Sequence, residues 1–110
     1  MEPNVSGAPW APQSGRVVAW FSGGQRQFEG QFDDGHPHGV WSFWYPNGAL
    51  KIVVPYVHGL RHGVYREWHD NGERGEEGPY VGGKMHGEWR RFDRQGQLIK
   101  QSLFVDGVKT

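Results

Sequence analysis

The chain has 110 residues, the size of one small domain, and its 12 acidic and 12 basic side chains cancel. This balance argues against recognition of nucleic acid or an anionic membrane surface by charge alone. The absence of Cys excludes disulfides, thiolate metal sites and Cys nucleophiles. The chain is rich in Gly (18 residues) and in Trp, Phe and Tyr, so an ordered core must consist largely of aromatic rings.

The first segment, residues 1–14, differs from the rest of the chain. It holds three Pro, small and polar residues, and a single aromatic residue, Trp10. One interpretation is a flexible leader, and the other is an arm that lays Trp10 across the N-terminal edge of the fold. The segment lacks the basic and apolar regions of a signal peptide, so we expect a cytoplasmic protein.

From residue 15 onward the sequence repeats every 24 residues. Three glycine columns define the period: Gly15, Gly39, Gly63 and Gly87; Gly24, Gly48, Gly72 and Gly96; and Gly35, Gly59, Gly83 and Gly107. The four copies are residues 15–38, 39–62, 63–86 and 87–110. A period of this length indicates a stack of identical supersecondary units.

Each copy has room for two strands. The first strand is rich in aromatic and β-branched residues, as in residues 40–45, and it ends at a turn such as Asn47-Gly48. Asn-Gly is a hairpin signal because both residues tolerate a positive φ. A longer second strand, such as residues 49–57, ends in a turn that begins at His58. We predict an all-β fold, an elongated antiparallel meander of about eight strands in stacked hairpins.

Two aromatic columns leave the arrangement of side chains open. Trp41 and Trp44 are three residues apart, so on a flat strand they face opposite sides. Either the sheet carries aromatic residues on both faces, or a bulge brings both columns to one face. Small residues at Gly30 and Gly78 predict that a ring from the adjacent strand lies over bare backbone there.

The spacing of glycines and aromatic residues resembles that of a known repeat family. Phe28-Glu29-Gly30-Gln31-Phe32-Asp33-Asp34-Gly35-His36-Pro37-His38-Gly39 is similar to a MORN repeat, and the later copies resemble the bacterial variant found in YwqK-type antitoxins. The resemblance implies a twisted sheet of hairpins and a non-catalytic role in protein contact or scaffolding, with phospholipid association in some members. Val17 and residues 73–78 depart from the pattern.

The histidine column is the best candidate for a chemical site. His38, His62 and His86 recur just before a glycine, but equivalent residues lie about 10 Å apart, too far to share one metal ion. The alternatives are that each His orders its turn by hydrogen bonding, or that a near pair such as His58 and His62 binds a metal. The sequence contains no catalytic or phosphate-binding motif. We therefore expect no enzyme activity, no small-molecule substrate and no cofactor.

Protein binding is the function that the composition favours most. Aromatic and arginine side chains on rigid strands suit interface hot spots. The candidate contact residues are Trp41, Tyr65, Trp89, Trp44, Trp68, Arg66 and Arg90. The alternative role for the rings is the core, because little else in the chain supplies one.

The last strand offers a second binding route, since the end of a sheet has unpaired backbone groups. Its candidate pairing residues are Ile99, Leu103 and Phe104. Three functions remain open. They are a module that binds another protein, by resemblance a toxin; a scaffold of copies joined through sheet edges; and a binder of lipid or nucleic-acid surfaces. Mixed charges among the arginines make the third the weakest.

Overall fold

The computed structural model describes residues 13–110, which form one antiparallel sheet. The strands are β1 Gly15–Trp20, β2 Arg26–Asp33, β3 His36–Trp44, β4 Leu50–Val57, β5 Leu60–Arg61, β6 Gly63–Trp68, β7 Arg74–Val81, β8 Lys84–Met85, β9 Gly87–Phe92, β10 Leu98–Val105 and β11 Val108–Lys109. The sheet order is β1-β2-β3-β4-β6-β7-β9-β10-β11, with β5 paired to β4 and β8 to β7. The all-β meander of hairpins is confirmed. Its eight longer strands match the predicted number, and β5, β8 and β11 are two-residue additions. This described part contains no helix that is long and apolar enough to cross a membrane.

Two kinds of turn alternate along the meander. Type I′ turns, with both central residues at positive φ, follow β2, β4, β7 and β10; the pair His58 (φ 49°) and Gly59 (φ 84°) is one example. The turn predicted at Asn47-Gly48 is confirmed, and of these two residues only Gly48 (φ 89°) has a positive φ. The reason is a three-residue loop, in which the Gly48 amide donates to the Tyr45 carbonyl (2.9 Å). Such a loop needs a left-handed residue only at its last position.

Each type I′ turn is also bonded to the preceding repeat. The Gly59 amide donates to the Pro37 carbonyl (3.0 Å), and the amides of Gly83 and Gly107 make the equivalent bonds to the carbonyls one repeat earlier. The Gly35 amide donates in the same way to the Gln13 carbonyl (2.6 Å). Gln13, which the sequence assigned to the leader, therefore takes part in the repeat pattern. Trp10 lies outside the described residues.

The main cluster of buried side chains lies on one side of the sheet, which we call the core face; Phe92 is buried apart from it. The cluster consists of Phe28, Phe32, Trp41, Phe43, Ile52, Val54, Tyr65 and Trp89. The prediction of rings over bare backbone is confirmed at two places, because a Cβ on Gly30 or Gly78 would collide with the indole of Trp41 or Trp89. Each indole N–H donates to a backbone carbonyl of the neighbouring strand; for Trp89 this is Pro79 O, at 3.0 Å. Glycine is therefore required at both positions by close packing.

The column that contains Trp44 lies on the other side, which we call the opposite face. The Arg26 guanidinium carbon lies 6.0 Å from the ring centre of Trp20 and 5.3 Å from that of Trp44, and the same group pairs with Glu29 (3.1 Å). Glu29 follows the buried Phe28 on a regular part of β2, so it faces away from the core. Phe43 and Trp44 are consecutive residues, so ordinary alternation along β3 places Trp44 on the side away from the buried Phe43. The irregular pairing lies on the partner strand, where Lys51 of β4 is the extra residue. Of the two open arrangements, the sheet therefore has the one with aromatic residues on both faces.

Candidate functional site

The histidine column serves the type I′ turns. His62 Nδ1 accepts from the Gly82 amide (3.1 Å), and His86 Nδ1 accepts from the Asp106 amide (3.4 Å). The buried Nδ1 of His38, at the equivalent position, has no hydrogen-bond partner among the described residues. Within residues 13–110 no group of three or more His, Asp or Glu side chains is placed to hold a metal ion. Hydrogen bonding by the column is therefore found for His62 and His86, but each bonds the turn of the following repeat instead of its own turn.

The polar side chains at the centre of the sheet do not converge on a reaction site. Glu67 accepts a hydrogen bond from the Tyr65 hydroxyl (2.7 Å), while His69 Nε2 contacts the Phe92 carbonyl (2.9 Å). Burial raises the pKa of Tyr65, and the hydrogen bond to Glu67 adds to this effect. Tyr65 is therefore a neutral donor at neutral pH, and Glu67 and His69 are engaged with different partners.

Three of the predicted contact residues belong to the core. Trp41 is 0% exposed, Trp89 3% and Tyr65 7%. Their rings pack on one another and on neighbouring tyrosines; Trp89 meets Tyr65 at 5.7 Å and Tyr80 at 5.2 Å between ring centres. These rings have almost no area left for a partner, so the alternative role, the core, is the one they have.

The other four predicted residues, Trp44, Trp68, Arg66 and Arg90, share the opposite face. Glu77 pairs in register with both Arg66 and Arg90 across the strands. It also forms an ion pair with Arg66 (3.2 Å), and Arg90 forms another with Glu88 (2.6 Å). Hydrogen bonding from Arg90 lowers the pKa of Glu88. The arginines are thus held in place, with side chains that remain accessible to solvent.

Arginines also pack against the aromatic rings of this face. Arg74 lies 4.3 Å from the centre of the Phe92 ring and forms an ion pair with Glu77 (3.5 Å). Arg26 has the same relation to Trp44 and Glu29. Such cation–π contacts fix the guanidinium over the ring. The face therefore presents rigid aromatic and cationic groups.

A second, longer period governs this face, and the sequence interpretation missed it. The motif Arg-x-x-Glu-Gly occurs at residues 26–30 and again at residues 74–78, a distance of two repeats. In both copies the Glu joins two arginines, and hydrogen bonding from Arg16 lowers the pKa of Glu29. The sequence shows this motif only when the first copy is compared with the third, and not when each copy is compared with the next one.

Both copies of the motif line a groove in the opposite face. The first groove, of about 480 Å³, is lined by Arg16, Glu29, Gly30 and Val40, among others. The second, of about 260 Å³, is lined by the equivalent residues Val64, Glu77, Gly78 and Glu88, together with Arg66 and Arg90. Each groove has a glycine backbone as part of its wall, because the ring on the core face occupies the space that a side chain would fill.

The three predicted edge residues differ in their surroundings. Ile99 (59% exposed) and Leu103 (54%) face solvent, whereas Phe104 packs against the core and pairs with Lys109 of β11. The Leu103 carbonyl accepts from the Thr110 amide (2.8 Å). In the described chain no strand pairs with the outer side of β10 over residues 98–102. The open part of the edge is therefore centred on Ile99 and Lys100.

Comparison with known proteins bears on these features. No curated protein matches the chain. The family described as the MORN repeat variant matches residues 37–58, 61–81 and 85–106, more than half of the chain. Residues 15–36 of the first copy, in which Val17 replaces an aromatic residue, lie outside the matched stretches. Repeats of this class commonly mediate protein or membrane interactions, so a binding role fits the fold coarsely. The chain belongs to the MORN repeat variant family.

Proposed function

We propose that the protein is a non-enzymatic protein-binding module whose binding surface is the opposite face. The observation that carries this proposal is that two half-buried tryptophans, Trp44 and Trp68, lie on the same face as the accessible Arg66 and Arg90. Tryptophan and arginine dominate the energetics of protein interfaces. Because ion pairs and cation–π contacts already fix arginines on this face, little side-chain entropy is lost on binding.

The same contacts disfavour a nucleic-acid or lipid surface as the partner. Glu77 and Glu88 lie among the arginines of the second groove and neutralise part of their charge. A polyanion would require a continuous basic stripe.

We further propose that the partner is a toxin-like bacterial protein that this module neutralises. The support is the resemblance of the later repeats to those of YwqK-type antitoxins. A cytoplasmic location would follow from such a role.

Titration calorimetry with the purified product of the adjacent gene tests both proposals. Arg66→Ala and Arg90→Ala each keep the buried rings and should weaken binding by about 30-fold or more if they are hot spots. Lys84→Ala, at an exposed position in β8, is the matched control and should bind as the native protein does. Absence of binding by the native chain, together with no protection of growth when the two genes are co-expressed, contradicts the antitoxin role.

A scaffold of copies joined through sheet edges is the second candidate. It is favoured by the open outer side of β10 over residues 98–102. Inside the chain, Ile52 and Val53 use the equivalent positions of β4 to pair with β6. Association through this edge would not depend on the side chains of either face.

A further inference from the structure

One row of side chains on the core face crosses all eight of the longer strands. From β1 to β10 the register pairs join Ala19, Phe28, Phe43, Ile52, Glu67, Glu76, Arg91 and Lys100. The first four are apolar and the last four are charged, in the order acid, acid, base, base. The change falls between β4 and β6, in the middle of the sheet.

Like charges lie next to one another in this charged row. Glu67 pairs in register with Glu76, and Arg91 pairs with Lys100. Like charges directly opposite across strands destabilise a sheet. Among the described residues none of these four forms an ion pair within 4.0 Å. The middle pair of the row, Glu76 and Arg91, is of opposite sign and also lies in register. The like-charged pairs on either side of it are the ones that gain from the opposite charges of a partner.

The order of the charges is self-complementary. A two-fold axis that runs parallel to the strands, between β7 and β9 and just above the core face, brings two copies face to face and reverses the row. Glu76 of one copy then meets Arg91 of the other, and Glu67 meets Lys100. Two-fold contacts between identical chains require such a pattern, in which a patch matches its own reversed image.

The surroundings of the row resemble a small interface. A cavity of about 60 Å³ beside it is lined by Glu76, Met85, Trp89, Lys100 and Phe104, among others. An apolar floor with a charged rim is the usual anatomy of a protein contact. The row spans only about 14 Å from β6 to β10 at the usual strand spacing, so the contact is small, weak and sensitive to salt.

We propose that the core face of β6–β10 is the contact surface for a second copy of the chain, placed by this two-fold axis. The inference goes beyond the proposed function, because it uses another face and other residues. Either proposal can fail without the other. Partner binding is tested with variants of the arginines on the opposite face, and self-association is tested with variants of the charged row.

Analytical ultracentrifugation of charge-reversed variants tests the inference. The double variant Glu67→Lys with Glu76→Lys makes the row wholly basic, and Arg91→Glu with Lys100→Glu makes it wholly acidic. We expect the native protein to form dimers at about 50 mM salt and to lose them at about 500 mM. Each variant alone should bind itself at least about tenfold more weakly, and an equimolar mixture of the two should dimerise.

Two further variants keep the result clear. Glu67→Gln with Glu76→Gln removes the attraction without creating a row of one sign, and it should also weaken the dimer. This variant tests the proposal even if charge reversal disturbs folding. Arg16→Glu with Glu29→Lys swaps an ion pair on the opposite face and should dimerise as the native chain does. A native protein that remains monomeric at about 1 mM overturns the proposal. Association that is unchanged in both reversed variants also overturns it, because the contact then does not use the charged row.

Discussion

The N-terminal and C-terminal halves of the core face have the same backbone and different side chains at equivalent positions. Phe43 and Ile52 are buried in the first half, whereas Arg91 and Lys100, 48 residues further on, are exposed. Both halves keep a tryptophan packed over a glycine, Trp41 in one and Trp89 in the other. The two halves therefore separate two roles. The tryptophan packed over a glycine keeps the repeat structure in both halves. The row of side chains next to it stabilises the fold in the first half and, as proposed above, contacts a second copy in the other half.

The largest effect is expected when the same truncation is made at equivalent row positions of the two halves. Phe43→Ala should lower the free energy of unfolding by about 3–5 kcal/mol, because it leaves a cavity in the buried half. Arg91→Ala, at the equivalent exposed position, should change it by less than about 0.5 kcal/mol. Urea unfolding of the two variants measures the difference. Equal losses would show that the two halves contribute alike to stability.

A medium effect is expected at the histidine column. His62→Phe removes the acceptor for the Gly82 amide and should cost about 0.5–1 kcal/mol. His38→Phe is the matched control, and it should cost nothing, since its Nδ1 is buried without a partner in the described chain. Thermal unfolding of both variants compares them. If both lose the same amount, packing of the ring and not the hydrogen bond stabilises the turn.

The smallest effect concerns Glu76, which Glu67, Arg91 and Lys100 surround from the neighbouring strands. Burial raises the pKa of Glu76, and the charge of Glu67 raises it further. The folded chain therefore binds this proton more tightly than the unfolded chain. The resulting stabilisation is complete below the unfolded pKa and is lost as pH rises through the folded pKa.

Glu76→Gln should accordingly melt higher than the native chain at pH 7, by on the order of 2–4 °C. The difference should shrink towards zero below about pH 4, where the native carboxyl is protonated. Melting curves at several pH values check the sign. A variant that is less stable at pH 7 would mean that attraction to Arg91 outweighs burial and Glu67.

The fold was predictable because its determinants are local and repeat in phase. The glycine columns mark the turns, and aromatic residues mark the strands. The side of the sheet taken by Trp44 follows from parity only if β3 carries no bulge between Trp41 and Trp44, and the sequence left that condition open. In the structure the extra residue lies in β4, at Lys51, so the parity of β3 is kept.

The candidate binding residues were predictable in type and only partly in placement. Aromatic columns look alike in sequence, yet Trp41 is buried and Trp44 lies on the opposite face. The charged row required the register across all strands, because Glu67 and Glu76 are neighbours only when β6 pairs with β7. The 24-residue period shows which residues occupy equivalent positions. The pairing of strands decides which of these residues lie next to one another.

The bonds between successive turns have a mechanical consequence. The amide of each turn glycine, such as Gly59 or Gly83, donates to a carbonyl of the repeat before it. Tension applied across the sheet, at right angles to the strands, loads the repeats one after another, so hairpins should peel off singly at low force. Tension along the strands loads many ladder bonds at once and should meet far greater resistance.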